Sequence, residues 1–285
     1  MKRIYAIAVL MAVCSFAFGH SFQKRNNLLV ERNYYNPAAR YLQEGNYLKL
    51  YSLYEMDLPA RSGKQPLDLN IDYMWAAKDY SVFASVSHDA YSYFSDHCIS
   101  AGYNRFFNPN GGDHTFRIGG RLVLGFNNID LSKLPYGETG RHLLISPDFD
   151  LGMEYSYKFF HLGMSVKNVL ALPAKYQGVD YICWPRAYFM QMYFDCNLLK
   201  DKILLNPFLI LGLNQNVYMV AGADLTLFKN YRIGYSFRAP DLHQNFNIGV
   251  DILSWVTISA GYSYSPAHKY NSAHIALTFR LSPKK

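Results

Sequence analysis

Ser87, His88 and Asp89 are adjacent residues with the side-chain types of a nucleophile, a general base and an acid that orients the base. Such side chains hydrolyse esters and amides when they converge on one bond. Here they end a segment with the alternation of a β-strand, in which neighbouring side chains point to opposite faces. We therefore interpret them as polar residues at the edge of a loop. We predict that the chain has no catalytic residues and is not an enzyme.

Three acidic residues, Asp148, Asp150 and Glu154, occur at even spacing and would share one face of a strand. On that face they could bind a cation. Buried charges in proteins are usually paired with opposite charges. We therefore expect these carboxylates to pair with Arg117 and Arg121 on the neighbouring strand.

The histidine and cysteine residues do not have the spacing of metal ligands. The histidines concerned lie in predicted loops or at strand ends: His97, His114, His142, His243 and His268. The cysteines beyond the N-terminal segment form no Cys-x-x-Cys pair and no disulfide framework: Cys98, Cys183 and Cys196. The glycines of NPNGGD (108–113) fit a tight turn and not a phosphate-binding loop. We predict no metal site and no cofactor.

The elements that would position these residues are strands. In FNIGVDILSWVTISAGYSYS (Phe246–Ser265), apolar or aromatic residues alternate with small or polar ones on both sides of a break at Leu253 and Ser254. A period of two is typical of a strand with one apolar and one polar face. The same pattern recurs along almost the whole chain.

About fourteen segments of roughly ten residues have this pattern, which is the length that a tilted strand needs to cross a bilayer. They are residues 46–56, 67–76, 79–88, 97–107, 114–127, 148–158, 160–170, 185–196, 202–212, 215–227, 230–238, 244–253, 255–265 and 272–281. The segment 202–212 alternates poorly and contains Pro207, which removes a donor from a strand ladder.

The gaps between segments also alternate in length. Gaps after odd-numbered segments are mostly long, namely Met56–Leu67, His88–His97, Asn127–Asp148 and Leu170–Pro185. Gaps after even-numbered segments are mostly short, namely Ala76–Asp79, Phe159, Phe228–Lys229 and Ser254. Long loops at one end and tight turns at the other are typical of an up-and-down antiparallel barrel.

The number of strands decides which face points inward. About eight strands already enclose an interior that side chains can fill, so a larger barrel could not pack a purely apolar core. The inverted arrangement places apolar side chains against lipid and polar ones around a wet or plugged lumen. The sequence therefore predicts an all-β transmembrane barrel. Tyrosines at strand ends would form part of its interfacial girdles.

The N-terminal stretch MKRIYAIAVLMAVCSFAFG (1–19) has a basic start, an apolar core and small residues at its end, as in a cleaved signal peptide. Residues 20–45 have no strand pattern, so we expect a segment that plugs the lumen or lies in the periplasm. Residues 46–285 form the barrel, and the predicted location is the outer membrane. The net charge is +7 without any Lys/Arg cluster, so nucleic acid is not an expected partner.

Four motifs resemble the PorP/SprF family of outer-membrane barrels, which belong to the type IX secretion and gliding machinery of Bacteroidota. They are YYNPAAR (34–40), SPDFDLGMEYSYKFFHLGMSVKNVL (146–170), YRIGYSFRAPD (231–241) and SAHIALTFRL (272–281). Their order and spacing match the family over nearly the whole mature chain. In the last motif Ile275 stands where the family usually has Glu.

The resemblance implies a non-enzymatic component of the secretion machinery. Its implied partners are outer-membrane lipid, periplasmic ring-forming and peptidoglycan-linked lipoproteins, and in some members a secreted surface adhesin. Two other hypotheses stay open at this point. One is a porin or small-solute channel, and the other is a lipid hydrolase embedded in the barrel.

Overall fold

The computed structural model describes residues 28–39, 44–55, 67–91, 94–108, 112–130, 141–176, 179–182, 184–199, 202–214, 216–266 and 270–281. The predicted signal peptide lies outside the described residues. The described elements are a short helix and a series of antiparallel strands: α1 Leu28–Tyr35, β1 Gly45–Glu55, β2 Leu67–Ala76, β3 Tyr80–Tyr91, β4 Phe94–Phe107, β5 His114–Asp130, β6 Arg141–Tyr157, β7 Phe160–Lys167, β8 Pro173–Tyr176, β9 Val179–Ile182, β10 Ala187–Phe194, β11 Cys196–Asn197, β12 Ile203–Leu213, β13 Val217–Leu227, β14 Tyr231–Ala239, β15 His243–Leu253, β16 Val256–Ser265 and β17 Tyr270–Arg280.

The strands close into an antiparallel barrel of 14 strands. Sequential strands pair with one another from β1 to β7, and β10 follows β7 in the ring. The ring continues from β12 to β17, and it closes where β10 pairs with β12 and β1 pairs with β17. A closed ring leaves no strand edge exposed. The sequence prediction of an up-and-down barrel is therefore confirmed.

Each predicted segment coincides with one barrel strand, but four of the strands are longer than the pattern indicated. The expected long gap His88–His97 is wrong, because β3 and β4 stay paired up to Tyr91 and Phe94. Likewise β5 and β6 stay paired up to Asp130 and Arg141. Hydrophobic alternation marks a strand only where one face meets apolar surroundings. The extensions of β3, β4 and β5 are short and contain polar residues such as Asp89, Asp96 and Asn128, so they have no clear alternation. In the extension of β6, Leu143, Leu144 and Ile145 are apolar on both faces, so the alternation is lost there as well.

Pro207 lies inside β12 at a break in the neighbouring ladder. The pairing of β12 with β10 ends at Tyr193 opposite Phe208, and its pairing with β11 starts at Cys196 opposite Leu205. Pro207 keeps a register partner on the other side, Ala223 of β13. A proline is tolerated at such an irregularity because no ladder bond there needs its missing N–H.

Polar side chains line the inside of the barrel and apolar ones cover the outside. Along β6, Asp150 and Glu154 are at most 1% exposed, whereas their neighbours Leu151 and Met153 are 49% and 59% exposed. Leu122 on β5 and Ile248 on β15 are exposed in the same way. In the described part of the chain, no helix is long and apolar enough to cross a membrane. The exposed apolar side chains and the buried charged ones make this barrel inside out, as the strand count predicts.

A charge on the outer face tests this facing. We expect Ile248→Lys to lower the free energy of unfolding by about 2–4 kcal/mol, because it places an ammonium group in hydrocarbon. Ser259→Lys is the matched control, since Ser259 faces the lumen on the next strand and lies opposite Gly249. Urea-induced unfolding in lipid vesicles measures both variants. Equal losses in the two variants would contradict the assigned faces.

Candidate functional site

The N-terminal segment lies inside the barrel. Helix α1 ends at Tyr35, just before Asn36 and Pro37, because a residue that precedes proline disfavours the helical conformation. The side-chain oxygen of Asn36 then accepts a hydrogen bond of 2.9 Å from the backbone N–H of Ala38, which forms a tight turn. Asn36, Ala38 and Ala39 have no exposed surface. We call residues 28–39 the plug.

One side of the plug packs on an apolar patch inside the lumen. Tyr35 has no exposed surface and its ring meets that of Phe189 edge-on, with centroids 5.3 Å apart. The cluster around it is built from lumen-facing side chains of three adjacent strands: Ala187, Phe189, Tyr193, Phe208, Ile210 and Val220. The plug shields this patch from water, and the burial of apolar surface stabilises the plug in the lumen.

The barrel wall also satisfies the carbonyl groups that α1 leaves unpaired at its C-terminal end. Arg121 donates to the carbonyls of Asn33 and Tyr34 at 3.2 and 3.0 Å. The Ser165 hydroxyl donates to the carbonyl of Tyr35 at 2.6 Å. The side-chain amide of Asn104 donates to the carbonyl of Pro37 at 3.0 Å. A guanidinium at a helix C-terminus also opposes the negative end of the helix dipole.

Arg121 is held in place by Asp150, its register partner on β6. Its Nε atom lies 2.8 Å from Asp150 Oδ2, and the two side chains are 9% and 0% exposed. The other carboxylate oxygen of Asp150 accepts the backbone N–H of Asn168 at 2.8 Å. The ion pair therefore has partners on both sides, as a buried charge requires. The pairing expected from the sequence is present for these two residues.

The other two carboxylates of the sequence analysis accept hydrogen bonds from outside β5. Asp148 accepts backbone N–H groups from Leu170 and Ala171 at 2.9 and 3.0 Å, where the chain leaves β7. Glu154 lies opposite Arg117 in the register and accepts the Tyr193 hydroxyl. Alternation along β6 put the three carboxylates on one face, but it could not reveal partners that come from a loop and from β10.

Three glycines of the barrel wall make room for the plug. A Cβ atom added to Gly119 would lie 2.6 Å from the carbonyl oxygen of Pro37. At Gly152 and Gly163 it would lie 2.0 and 2.6 Å from the side-chain amide of Asn36. These distances are far inside van der Waals contact. The Asn-Pro-Ala turn therefore lies in a recess formed by Gly119, Gly152 and Gly163, which larger side chains at these positions would fill. We call this recess the glycine recess.

A hydrogen-bonded Ser–His–Asp set occurs in the lumen at residues that the sequence analysis did not select. His161 lies 2.7 Å from Ser156 Oγ through Nδ1 and 3.1 Å from Asp195 Oδ2 through Nε2. Ser156 and His161 are buried, and the imidazole stacks on the ring of Tyr193 at 4.5 Å. A nucleophile must be open to its substrate, so this set is structural. Asp195 also accepts Asn206 Nδ2 at 2.7 Å, which ties β10 to β12.

Arg32 of the plug continues this network. Its guanidinium lies 4.0 Å from the centre of the Tyr193 ring, on which His161 also stacks. Lys167 lies 3.6 Å from the centre of the Tyr34 ring. Each cation–π contact contributes about 0.5–2 kcal/mol, depending on desolvation. These contacts add charge-based attraction to the apolar and hydrogen-bonded contacts of the plug.

The suspected triad does not assemble. Ser87 and Asp89 face a chamber of about 110 Å³ between the plug and the loop end of the barrel. His88 points to the other face of β3, where its ring meets that of His97. The opposite facing of neighbours on a strand, used in the sequence analysis, accounts for this separation.

The other histidines of the sequence analysis are scattered. His114 lies 2.7 Å from the Tyr155 hydroxyl at the turn end, and His243 is buried opposite Arg238. His142 belongs to β6, and His268 lies outside the described residues. Over the part of the chain that the structure covers, no three His, Cys, Asp or Glu side chains are grouped to hold a metal ion.

A second buried ion pair joins the loop-end turn between β14 and β15 to the lumen wall. Arg238 donates from Nε to both carboxylate oxygens of Asp241, at 2.9 and 3.1 Å. Burial by itself would raise the pKa of Asp241. The hydrogen bonds and charge of Arg238, with the charge of His243, outweigh burial and lower that pKa below its ordinary value of 3.8.

The glycine recess gives a matched pair of variants. We expect Gly119→Ala to displace the Asn-Pro-Ala turn, because backbone atoms of Pro37 and Ala38 occupy the place of the new methyl group. Gly120→Ala is the control, since its methyl group would meet no atom closer than 3.7 Å. Protease cleavage within residues 28–39 and conductance in planar bilayers report displacement. Equal protection of the plug in both variants would contradict the proposed seating.

The Asp241 carboxyl gives a prediction for acid. A group with a lowered folded pKa contributes its stability above the ordinary value and loses it as the pH falls through the lowered one. We expect the urea midpoint of the wild type to fall as the pH is lowered below 3.8. Asp241→Asn should be less stable at neutral pH and should lose less stability on acidification. Parallel pH curves for the two proteins would argue against this contribution.

Comparisons with known proteins agree with the fold. A search of curated proteins finds no match. Omp33 of Acinetobacter baumannii has a TM-score of 0.54 at 10% identity, covering 85% of this chain and 100% of that chain. The Ralstonia pickettii toluene transporter TbuX has a TM-score of 0.57 at 9% identity, covering 90% and 94%. A Pseudomonas aeruginosa FadL homologue has a TM-score of 0.54 at 9% identity, covering 87% and 93%. Identities this low show a shared barrel fold alone.

The family is shown by a separate comparison. The family model described as "Type IX secretion system membrane protein PorP/SprF" matches residues 24–279. That range includes the plug and all of the barrel strands except the end of β17. This chain is therefore an outer-membrane β-barrel that belongs to the PorP/SprF family of type IX secretion system membrane proteins.

Proposed function

We propose that this barrel is a non-enzymatic component of the type IX secretion and gliding machinery, and that it acts as a membrane platform for protein partners. The partners are periplasmic lipoproteins of the secretion system, including a peptidoglycan-linked one, or a secreted surface adhesin. The observation that carries the proposal is the plug. A barrel whose wall is built to hold a segment inside its lumen serves binding better than transport.

The plug is built into the wall at many points, which supports a permanent role. The wall contributes an apolar patch, a glycine recess and donors for four carbonyls of the plug. These carbonyls belong to Asn33, Tyr34, Tyr35 and Pro37. Each net hydrogen bond contributes about 0.5–1.5 kcal/mol. A diffusion pore does not need wall contacts that hold a segment inside its lumen.

A small-solute channel is the second candidate, and the chamber at the loop end favours it. The chamber of about 110 Å³ has polar lining residues such as Asp68, Ser87 and Asp96 and offers room for a small solute. One structurally similar barrel, TbuX, is a toluene transporter, although at 9% identity that likeness concerns the fold. Planar-bilayer conductance separates the candidates. A stable open pore in the wild-type protein would favour the channel.

A lipid hydrolase is the third candidate, and the opposite facing of Ser87 and His88 argues against it. We expect Ser87→Ala to leave the function of the barrel in secretion or gliding unchanged, because the His88 imidazole lies on the opposite face of β3 and cannot activate the Ser87 hydroxyl. Growth-surface spreading and export of secreted proteins measure that function. A loss in this variant, with normal amounts of barrel in the membrane, would revive the hydrolase.

The direct test of the proposal is affinity purification from native outer membranes. A tagged chain, extracted in mild detergent, should recover periplasmic lipoproteins of the secretion system or one secreted adhesin. An unrelated outer-membrane barrel with the same tag is the control. Reproducible absence of such proteins, after chemical crosslinking as well, would contradict the platform role.

A further inference from the structure

Two histidines face each other on the outer surface of the barrel. His88 on β3 and His97 on β4 are register partners. Their Nδ1 atoms are 3.2 Å apart, and their rings stack with centroids 4.4 Å apart and planes inclined by 26°. Eight residues separate them in the sequence, so only the hairpin register brings them together. We call them the histidine pair.

The histidine pair lies at the loop-side border of the lipid-facing surface. The next outward residues toward the middle of the membrane, Val86 on β3 and Ile99 on β4, are apolar and 52% and 51% exposed. Beyond the pair, the hairpin continues to its last pairing at Tyr91 and Phe94. His97 is exposed, and the contact between the rings is at the surface. The pair is therefore open to water and to solutes at this end of the barrel.

The distance between the two nitrogens fits a shared metal ion. Imidazole nitrogens bind zinc at about 2.0–2.1 Å, and two such ligands at a tetrahedral angle are about 3.3 Å apart. The observed 3.2 Å is close to that separation. Because the rings stack in this structure, both imidazoles must rotate out of the stack before their in-plane lone pairs meet at one ion. We propose that the histidine pair binds a divalent transition-metal ion through its two Nδ1 atoms.

The donor set selects the class of ion. Imidazole nitrogen suits zinc, copper and nickel, whereas calcium and magnesium require oxygen ligands. Ser87 and Asp89, the chain neighbours of His88, face the lumen chamber and not the pair. No third His, Cys, Asp or Glu joins the pair among the residues described. The remaining coordination positions of the ion are therefore filled by water. Among divalent first-row ions, Cu²⁺ should bind most tightly.

The test uses the mature full-length chain in detergent, purified with a tag that contains no histidine. Binding of Cu²⁺ and Zn²⁺ is measured by calorimetry, and the Cu²⁺ electron paramagnetic resonance spectrum counts the bound nitrogens. We expect one tight equivalent in the wild type. His88→Ala and His97→Ala should each weaken binding at least tenfold and reduce the count from two nitrogens to one.

His114→Ala is the matched control, because His114 is also exposed on the outer face but lies at the other end of the barrel. It should leave the tight equivalent unchanged. Wild-type affinity in His88→Ala or His97→Ala, or an equal loss in His114→Ala, would overturn the assignment.

A measurement on the wild type alone avoids any effect of the variants on folding. Diethyl pyrocarbonate modifies accessible imidazoles, and mass spectrometry locates the modified residues. Added Zn²⁺ should protect His88 and His97 and leave His114 reactive. Equal modification of the pair with and without Zn²⁺ would contradict the proposal.

Discussion

The exclusion of water from hydrocarbon is the constraint on which the rest of this structure depends. Every backbone N–H and C=O group at membrane depth must be paired within the protein, and a closed ring of strands does this for all of them. The same medium favours apolar side chains outside. Since strand side chains alternate, polar ones are then forced inside. The lumen of this barrel is accordingly lined by buried charges and amides, such as Asp150, Glu154 and Arg238.

A polar lumen of this size must be filled by water or by protein, and this chain fills part of it with its own N-terminal segment. The Arg121–Asp150 pair is central to that filling. The carboxylate compensates the buried guanidinium, and the guanidinium caps carbonyls at the end of α1. One ion pair thus links the barrel wall to the plug. Loss of either partner would leave a buried charge uncompensated, which is costly.

The two ends of the barrel differ in the length of their connections and in how far the strands extend. At the turn end the strands are joined by short connections such as Lys158–Phe159. The first barrel strand, β1, begins at this end, and the last, β17, ends beside it. At the loop end the strands β3 to β6 extend past the apolar band, and a chamber lies above the plug.

The sequence by itself determined the class of the fold, the number of strands and the face that each side chain takes, because alternation is a local property that lipid enforces on every strand. It also brought Arg121 and Asp150 together, since both lie on the polar face of neighbouring strands. It could not decide where residues 28–39 go, which hydrogen bonds Asp148 and Glu154 accept, or that His88 meets His97. Only the tertiary structure decided these contacts. They depend on the register of the hairpins and on contacts across the lumen. Alternation along one strand does not indicate which residue of another segment will be in contact.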